Sequence, residues 1–179
     1  ALQHAHSRGL VHSDFKPANV FVTRTGEIKV IDFGIARIAK DTTQAGQAVQ
    51  TVFDAGRLGA YTNAYASPEQ MLDAAEPDPK DDIYALGLVA FEAFAGKHPF
   101  GRKSAVEAKF RDMKVERVPA LTDRQNAVLA SALHFDREQR LGDITEFVQS
   151  LTSETGEFIS ATDRIGHRAH AWQPRVLLI

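Results

Sequence analysis

The chain has 179 residues, of which 44% are hydrophobic and 25% charged, and this length and composition are typical of one soluble globular domain with a sizeable core. Its formal net charge of −2 gives no indication of a polyanionic partner, so we expect no nucleic-acid binding. The sequence contains no cysteine, which excludes disulfides and thiolate zinc sites and suits a reducing cytoplasm, where we expect the domain to lie.

The amino-terminal residues predict the end of a helix followed by a β-hairpin. ALQHAHSRGL has no initiating Met and resembles the last turns of a helix, so we expect that the chain has been cut before Ala1. After it, the β-rich runs VFVT (20–23) and EIKVID (27–32) flank the turn sequence RTG. Between 41 and 62 the sequence is polar and rich in Gly, Gln and Thr, without clear periodicity, and this predicts a long surface loop.

The second half of the sequence is predicted to be helical. Four positions carry a capping-box pattern, in which a side-chain oxygen is followed three residues later by Glu or Gln. Each pattern opens a stretch of apolar periodicity, so each predicts the start of a helix. The four are Ser67 with Gln70, Ser104 with Glu107, Thr122 with Gln125 and Asp143 with Glu146.

One further segment, IYALGLVAFEAFAG (83–96), is apolar on nearly every face. Such a helix belongs in the middle of a domain rather than on its surface. The acidic pair at 81–82 precedes it, where negative charge suits a helix N-terminus. Within the segment, Phe91, Glu92 and Phe94 are predicted to contribute to core packing.

A group of polar residues is predicted to converge at one end of the hairpin. Asp14 lies in the loop before its first strand, Asn19 where that strand begins, and Asp32 where the partner strand ends. Because a hairpin brings these ends side by side, we expect their oxygens to gather near the ammonium group of Lys16. Mg²⁺ prefers such oxygen ligands and takes further ones from phosphates, so Asn19 and Asp32 are the predicted metal ligands. Asp14 is then free to accept a hydroxyl proton, and Lys16 to stabilise a phosphate in transfer.

These residues carry a family resemblance. HSDFKPANV (12–20) resembles the catalytic loop of eukaryotic-type (Hanks-type) Ser/Thr protein kinases, and IDFGIAR (31–37) resembles their magnesium-binding DFG segment. YASPEQ (65–70) resembles the motif that closes the activation segment, and DDIYALG (81–87) the start of the central helix. HFDREQRLG (134–142) is similar to the segment whose Arg pairs with the Glu of the closing motif. Five motifs in this order form a specific signature, and they look most like the bacterial members.

The resemblance covers residues 1–151 and implies a protein kinase-like fold, of which the chain carries the C-terminal lobe only. That lobe is expected to be mainly α with a small catalytic β-hairpin. Residues 34–66 would form the activation segment, and residues 152–179 a C-terminal tail or juxtamembrane linker. Because the Gly-rich loop and the strand Lys of the family would precede Ala1, we expect the N-lobe to be missing.

By this resemblance Asp14 is the catalytic Asp, Lys16 assists phosphate transfer and favours Ser/Thr over Tyr specificity, and Thr62 contacts both. The implied function of the intact parent enzyme is the ATP- and Mg²⁺-dependent phosphorylation of Ser and Thr hydroxyls on a protein substrate. Ser13 replaces an Arg that commonly pairs with a phosphorylated activation loop, which weakens the case for that kind of switching.

The resemblance also assigns the cofactor residues and the consequence of the missing lobe. Asn19 and Asp32 would hold Mg²⁺ and, with it, the phosphates of ATP, and Phe21 would lie beneath the adenine. Without the N-lobe only the floor of the nucleotide pocket remains, so we expect negligible activity from this chain alone. The face that the missing lobe leaves open would be apolar and inclined to self-association.

Three structural contacts follow from the same resemblance. Glu69 and Arg140 are expected to form a buried ion pair. Asp82 is expected to hold the backbone of the 12–20 loop, although a plain N-terminal helix charge is the alternative reading. His12 is expected to be a core histidine that packs near Phe33.

Two other functions remain open at this point. Small-molecule phosphotransferases of the aminoglycoside or choline kinase type share a similar HxDxxxxN loop, but Lys16 and the SPEQ motif argue against them. A non-catalytic pseudokinase or docking module would act through its surfaces alone, and the intact Asp14, Asn19 and Asp32 oppose that reading for the parent protein.

The carboxy-terminal tail is the least readable part of the sequence. Its basic residues precede the apolar end AWQPRVLLI, as in a positively charged flank before a membrane helix beyond Ile179. The alternative is a tail that packs on the lobe or links it to another soluble domain. The basic residues are Arg164, His167, Arg168, His170 and Arg175.

Overall fold

The computed structural model describes residues 1–33, 37–38, 63–72 and 76–152, with the backbone alone at 37–38. Most of the predicted activation segment and the tail beyond Thr152 therefore lie outside the described residues, together with Thr62, to which the resemblance gives a catalytic role. Within the described ranges the chain is mainly helical, with two small antiparallel strand pairs, as expected for a kinase-like C-terminal lobe.

The described elements follow the predicted order along the chain. The helices are α1 (Leu2–His6), α2 (Pro68–Met71), α3 (Pro79–Ala95), α4 (Ala105–Phe110), α5 (Asp123–Ala132) and α6 (Ile144–Thr152). The strands are β1 (Leu10–Val11), β2 (Val20–Val22), β3 (Ile28–Val30) and β4 (Arg37–Ile38). Short 3₁₀ turns occupy Pro17–Asn19 and Arg137–Gln139. None of the helices in this part of the chain is long and apolar enough to cross a bilayer.

The predicted hairpin is confirmed. Strands β2 and β3 pair antiparallel, with Val20 opposite Val30. The turn is closed by a hydrogen bond from the backbone N–H of Thr23 to the carbonyl of Glu27 at 2.8 Å. Gly26 has a φ of 83°, which a residue with a Cβ rarely adopts, so the glycine of RTG allows the backbone to form this turn. A second pair, β1 with β4, was not predicted from the sequence.

The central helix is confirmed, but its predicted start was wrong. Helix α3 begins at Pro79, four residues before the predicted start of the 83–96 segment, because Asp78 caps it. The Asp78 side chain accepts from the Lys80 N–H, and the side chain of Asp81 accepts in return from the Asp78 N–H. The 81–82 pair therefore lies inside the first turn of the helix, rather than preceding the helix, and is buried. Gly96, with a φ of 70°, ends the helix.

The core is built around α3, which packs against α5 and β1. Phe91 is buried as predicted, but the prediction was wrong for Phe94, whose exposed fraction is 39%. At Gly87 a Cβ would lie only 3.0 Å from the side chain of Leu133, so the glycine permits the close approach of α3 to the end of α5. The N-terminal turn of α3 is held next to the 12–20 loop by Asp82, which accepts hydrogen bonds from the backbone of His12 and Ser13.

All four predicted cap positions accept a hydrogen bond from the backbone N–H three residues later. Ser67 and Thr122 form complete capping boxes at the starts of α2 and α5. Ser104 accepts from Glu107 at 3.1 Å, and Asp143 accepts from Glu146 at 2.8 Å. A cap of this kind stabilises a helix by about 1 kcal/mol, so these side chains set where the helices begin.

Candidate active site

The 12–20 loop holds Asp14 and Lys16 against each other. The Nζ of Lys16 donates to Oδ2 of Asp14 at 2.6 Å, and both side chains are largely buried. A charge-assisted hydrogen bond of this length fixes the orientation of the carboxylate. Within the described residues no group donates to the other carboxylate oxygen, so that oxygen is the one left to accept a proton.

Asn19 is buried at the end of the short turn that follows Lys16. Its side-chain Nδ2 donates to the backbone carbonyl of Asp14 at 2.9 Å, and its backbone N–H donates to the carbonyl of Lys16 at 2.9 Å. The first bond uses the amide nitrogen, which leaves the amide oxygen as the potential ligand atom. The loop and the first hairpin strand are therefore tied together by the Asn19 side chain.

Asp32 follows the second hairpin strand at the same end of the hairpin. The backbone N–H of Ile31 donates to the carbonyl of Asn19 at 3.0 Å, which extends the strand pairing up to the residue before Asp32. Asp32 itself has a φ of 62°, a left-handed conformation that is uncommon for a residue with a Cβ and turns the chain away from the strand. The hairpin thus brings Asn19 and Asp32 to one end, as the predicted cation site requires.

The side-chain oxygens at this end of the hairpin are few, which suits a magnesium ion that is bound together with a nucleotide. No cluster of three or more His, Asp or Glu residues suited to a metal exists in the part of the chain that the structure describes. Mg²⁺ is commonly bound by only one or two carboxylates together with waters and phosphate oxygens. One carboxylate from Asp32 and one amide oxygen from Asn19 therefore suit a metal that arrives with a nucleotide, and their role as ligands stays a prediction.

Asp82 supports the 12–20 loop from below, as predicted. Its Oδ2 accepts from the backbone N–H of His12 at 2.8 Å, and its Oδ1 accepts from the backbone N–H of Ser13 at 2.9 Å. The Nε2 of His6 lies 2.7 Å from the same carboxylate. The carboxylate is almost completely buried, so its oxygens are hydrogen-bonded by protein groups rather than by bulk water. A plain helix charge would not make these contacts.

His12 is the predicted core histidine, and it joins the loop to the segment that carries Asp32. Its ring centroid lies 4.6 Å from that of Phe33, and its Nε2 lies 3.1 Å from the carbonyl of Ile31. The Asp14 N–H donates to Nδ1 at 3.2 Å, so Nδ1 is the acceptor and Nε2 carries the hydrogen. One buried ring therefore couples the positions of the two candidate functional carboxylates.

The predicted ion pair between Glu69 and Arg140 is confirmed. The Arg140 side chain is fully buried and donates through Nη2 to Glu69 at 2.8 Å, and also to the carbonyls of His134 and Lys80. Burial by itself raises the pKa of Glu69, but the hydrogen bond and charge of Arg140 outweigh it and hold that pKa below its usual range. The guanidinium also lies 5.1 Å from the centroid of the Tyr84 ring.

Sequence reasoning missed a second buried network beside this pair. Asp81 accepts from the hydroxyl of Ser67 at 2.7 Å and from Arg137 at 2.9 Å. The available signal was Ser67, which stands where the family motif usually has Ala and which brings a hydroxyl next to the central helix. The Gln70 side chain, three residues later, donates to the carbonyl of Ser13 at 2.9 Å. Helix α2 and its cap are thus bonded directly to the 12–20 loop.

The hairpin exposes apolar side chains on both of its faces. Phe21, the residue predicted to lie beneath adenine, is 50% exposed, and Ile31 on the same face by strand alternation is also exposed. Val22 and Ile28 face each other across the other side and are each 68% exposed. The described part of the hairpin therefore has an exposed apolar surface.

The short segment 63–66 adjoins the site, since Tyr65 and Ala66 line a cavity together with Asp14. The Tyr65 hydroxyl donates to Oε2 of Glu92 at 2.5 Å, and Arg102 donates to Oε1 of Glu92 at 3.2 Å. Burial, followed by the bond to Glu92, raises the pKa of Tyr65 to about 12. The predicted packing role of Glu92 was wrong, because its carboxylate holds these two polar groups.

Comparison with known proteins shows the family to which the chain belongs. The family model for the protein kinase domain matches residues 1–152. Because this match covers well over half of the 179 residues, the chain belongs to the protein kinase domain family.

The similar curated proteins are bacterial serine/threonine-protein kinases. The chain is 40% identical to the kinase PknA of Mycobacterium tuberculosis over 116 residues, which cover 64% of this chain and 24% of that protein. It is 36% identical to the probable kinase PknB of Corynebacterium glutamicum over 136 residues, covering 76% of this chain and 20% of that protein. It is 33% identical to the probable PknB of Bifidobacterium longum over 153 residues, covering 82% and 21% respectively. The matched part thus spans about a quarter or less of each relative.

Proposed function

We propose that this chain is the C-terminal lobe of a bacterial serine/threonine-protein kinase whose parent enzyme transfers the γ-phosphoryl group of ATP to Ser and Thr hydroxyls of proteins. The observation that carries the proposal is the hydrogen bond from the Asn19 amide to the Asp14 carbonyl, because it joins the proposed base to a proposed metal ligand. The similarity to bacterial serine/threonine-protein kinases supports the same activity.

The proposed chemistry divides the work between two residues of the loop. Asp14 takes the proton of the substrate hydroxyl on the carboxylate oxygen that Lys16 does not occupy. The hydroxyl oxygen forms its bond to the γ-phosphorus while the bond from that phosphorus to the bridging oxygen of ADP breaks. Lys16 orients the carboxylate and offers its ammonium group to the phosphoryl oxygens, so positioning and charge stabilisation provide most of the catalysis.

Asn19 and Asp32 are the residues that would hold magnesium. Bound Mg²⁺ supplies neutralisation of the negative charge on the phosphate oxygens. Phe21 and Ile31 would offer an apolar surface to the adenine, and their present exposure supports this assignment. We further propose that the rest of the nucleotide site lies on a preceding N-lobe, and that the domain works on the cytoplasmic side, where ATP is available.

A phosphotransfer assay with labelled ATP and Mg²⁺ tests the proposal, using this chain and a longer parent chain that includes the preceding residues. We expect the parent to label Ser and Thr in a generic protein substrate, and the 179-residue chain to give no labelling above background. Asp14→Asn in the parent should lower the rate by about 10²- to 10⁴-fold, the usual contribution of a general base. Asp123→Asn, at an exposed position on α5, is the matched control and should leave the rate unchanged.

The outcomes separate the competing functions. A parent chain that transfers no phosphate while it still folds would favour a docking module. Labelling of a small hydroxylated molecule in preference to protein would favour a small-molecule phosphotransferase. Strong labelling by the 179-residue chain alone would contradict the proposal that the N-lobe is required.

A further inference from the structure

His98, in the loop between α3 and α4, uses both ring nitrogens although it is buried. Its Nε2 lies 3.0 Å from the backbone carbonyl of Ala64. Its Nδ1 accepts from the backbone N–H groups of Phe100 at 3.1 Å and of Arg102 at 3.2 Å. Since Nδ1 accepts two bonds, the ring hydrogen must be on Nε2, which makes Ala64 the acceptor of that bond.

The two ring nitrogens act over very different distances along the chain. Nδ1 closes the local turn that follows α3, within four residues of His98. Nε2 instead reaches across 34 residues to the 63–66 segment. The ring also meets that of Tyr65 edge to face, with centroids 5.7 Å apart. Burial lowers the pKa of His98, which keeps Nδ1 available as an acceptor at neutral pH.

The 63–66 segment lies next to the proposed base. Tyr65 and Ala66 line a cavity of about 30 Å³ together with Asp14 and Phe15. Any shift of this segment would therefore change the wall of the cleft beside Asp14. The segment is fixed from the α3–α4 side at two points, the hydroxyl of Tyr65 through Glu92 and the carbonyl of Ala64 through His98.

We propose that His98 is a positioning residue, which holds the 63–66 segment in place beside Asp14 through the Nε2 hydrogen bond to Ala64. This inference deepens the proposed kinase function and rests on it for its catalytic consequence. His98 does not touch the reacting groups itself. It acts through the segment, against which a protein substrate is expected to lie when its hydroxyl approaches Asp14.

Two substitutions of His98 distinguish the roles of its two ring nitrogens. In His98→Gln the longer side chain brings an amide N–H close to the position of Nε2, so the bond to Ala64 is retained. In His98→Asn the shorter side chain brings an amide oxygen close to the position of Nδ1, so the local turn is retained and the bond to Ala64 is lost. His134→Asn is the matched control, because within the described residues the Nδ1 contacts of that ring are confined to its own turn, at Asp136.

The first measurement is hydrogen–deuterium exchange of the 179-residue chain, read by mass spectrometry on peptides that cover 63–72, with α5 as the internal reference. We expect exchange in His98→Asn to be about fivefold faster, as the loss of one ordinary hydrogen bond predicts. His98→Gln and His134→Asn should exchange like the unmodified chain. Equal exchange in the Asn and Gln variants, or no change in either, would overturn the proposal.

The second measurement is made on the parent enzyme. His98→Asn should raise the KM for protein substrate several-fold, with the KM for ATP and the rate of ATP hydrolysis in the absence of protein unchanged, and His98→Gln should restore the lower KM. An active parent whose protein KM is the same in all variants contradicts the positioning role. If the parent phosphorylates nothing, the proposed function fails, while the exchange measurement still decides whether His98 positions the segment.

Discussion

The two sides of the 12–20 loop are built in opposite ways. Below the loop, Asp82 and Arg140 are buried and make hydrogen bonds to backbone groups from distant parts of the chain. Beyond its other end, the β2–β3 hairpin exposes the apolar side chains of Phe21, Val22 and Ile28. Buried groups of this chain therefore support the loop, whereas the hairpin has an exposed apolar surface of the kind that normally lies at an interface.

From this contrast we can infer which parts of the site are sensitive to substitution in the chain alone. A buried charge that loses its partner costs several kcal/mol, because the partner cannot be replaced by water. An exposed apolar side chain on a strand contributes little to stability by itself. The four predictions below test this contrast, in order of decreasing effect.

Asp82→Ala should produce the largest loss of stability. It leaves the backbone N–H groups of His12 and Ser13 without their acceptor, and it leaves His6 without its carboxylate. We expect the free energy of unfolding to fall by about 4 kcal/mol, as measured by urea denaturation followed by circular dichroism. Glu116→Ala, at an exposed ion pair, is the control and should change it by about 0.5 kcal/mol or less. A similarly small change in Asp82→Ala would contradict the support role.

Arg140→Gln should have the second largest effect, because Glu69 and two backbone carbonyls lose their donor. We expect the free energy of unfolding to fall by about 3 kcal/mol. The pair also predicts a dependence on pH. Since the folded pKa of Glu69 is lowered, its stabilising contribution is fully present above the unfolded value of 4.5 and is lost as the pH falls through the folded pKa.

The matched measurement is the pH dependence of unfolding in both chains. The unmodified chain should lose this part of its stability on acidification below about pH 4.5, whereas Arg140→Gln should lack that particular loss. If both chains respond alike to acid in this range, the ion pair is not the source of the dependence.

Substitutions on the hairpin should have the smallest effect on stability. Val22→Thr is expected to change the free energy of unfolding by about 0.5 kcal/mol or less, since the side chain is exposed. Val20→Thr in the same strand should cost about 1–2 kcal/mol, because Val20 packs against the core. Urea denaturation of the two variants compares the packing at the two ends of one strand. Equal losses in the free energy of unfolding would mean that the exposed end is packed as well.

A triple variant of the hairpin tests the expected self-association of the chain. Combining Val22→Thr with Phe21→Ser and Ile28→Thr removes most of the exposed apolar surface of the hairpin. Sedimentation velocity should show weaker association than in the unmodified chain. Association of unchanged strength would assign it to another surface.

Much of the architecture could be predicted from the sequence, because it depends on local chemistry. The caps at Ser67 and Thr122 and the hairpin turn at Gly26 each follow from hydrogen bonds or backbone angles within a few residues. The pairing of Glu69 with Arg140 was also predicted, through the motifs that contain them. The caps and the turn need no knowledge of how the elements pack, whereas the ion pair joins residues 71 positions apart and was predicted only from the family resemblance.

The misassigned residues show where local reasoning fails. The start of α3 at Asp78 was missed because the apolar pattern begins only at Ile83, whereas the cap lies in a polar stretch before it. Glu92 and His98 resembled ordinary helix and loop residues. Their roles depend on Tyr65 and Ala64, which are brought to them across about 30 residues by the fold.

The family, the order of the elements and the residues proposed to handle the phosphate could all be predicted from the sequence, because motif spacing and capping chemistry are encoded locally. Other buried pairings became visible only in the folded chain, such as Asp81 with the hydroxyl of Ser67 and His98 with the carbonyl of Ala64. The physical reason is that a buried donor must find its acceptor in three dimensions, and the distance along the chain does not specify which one it will meet.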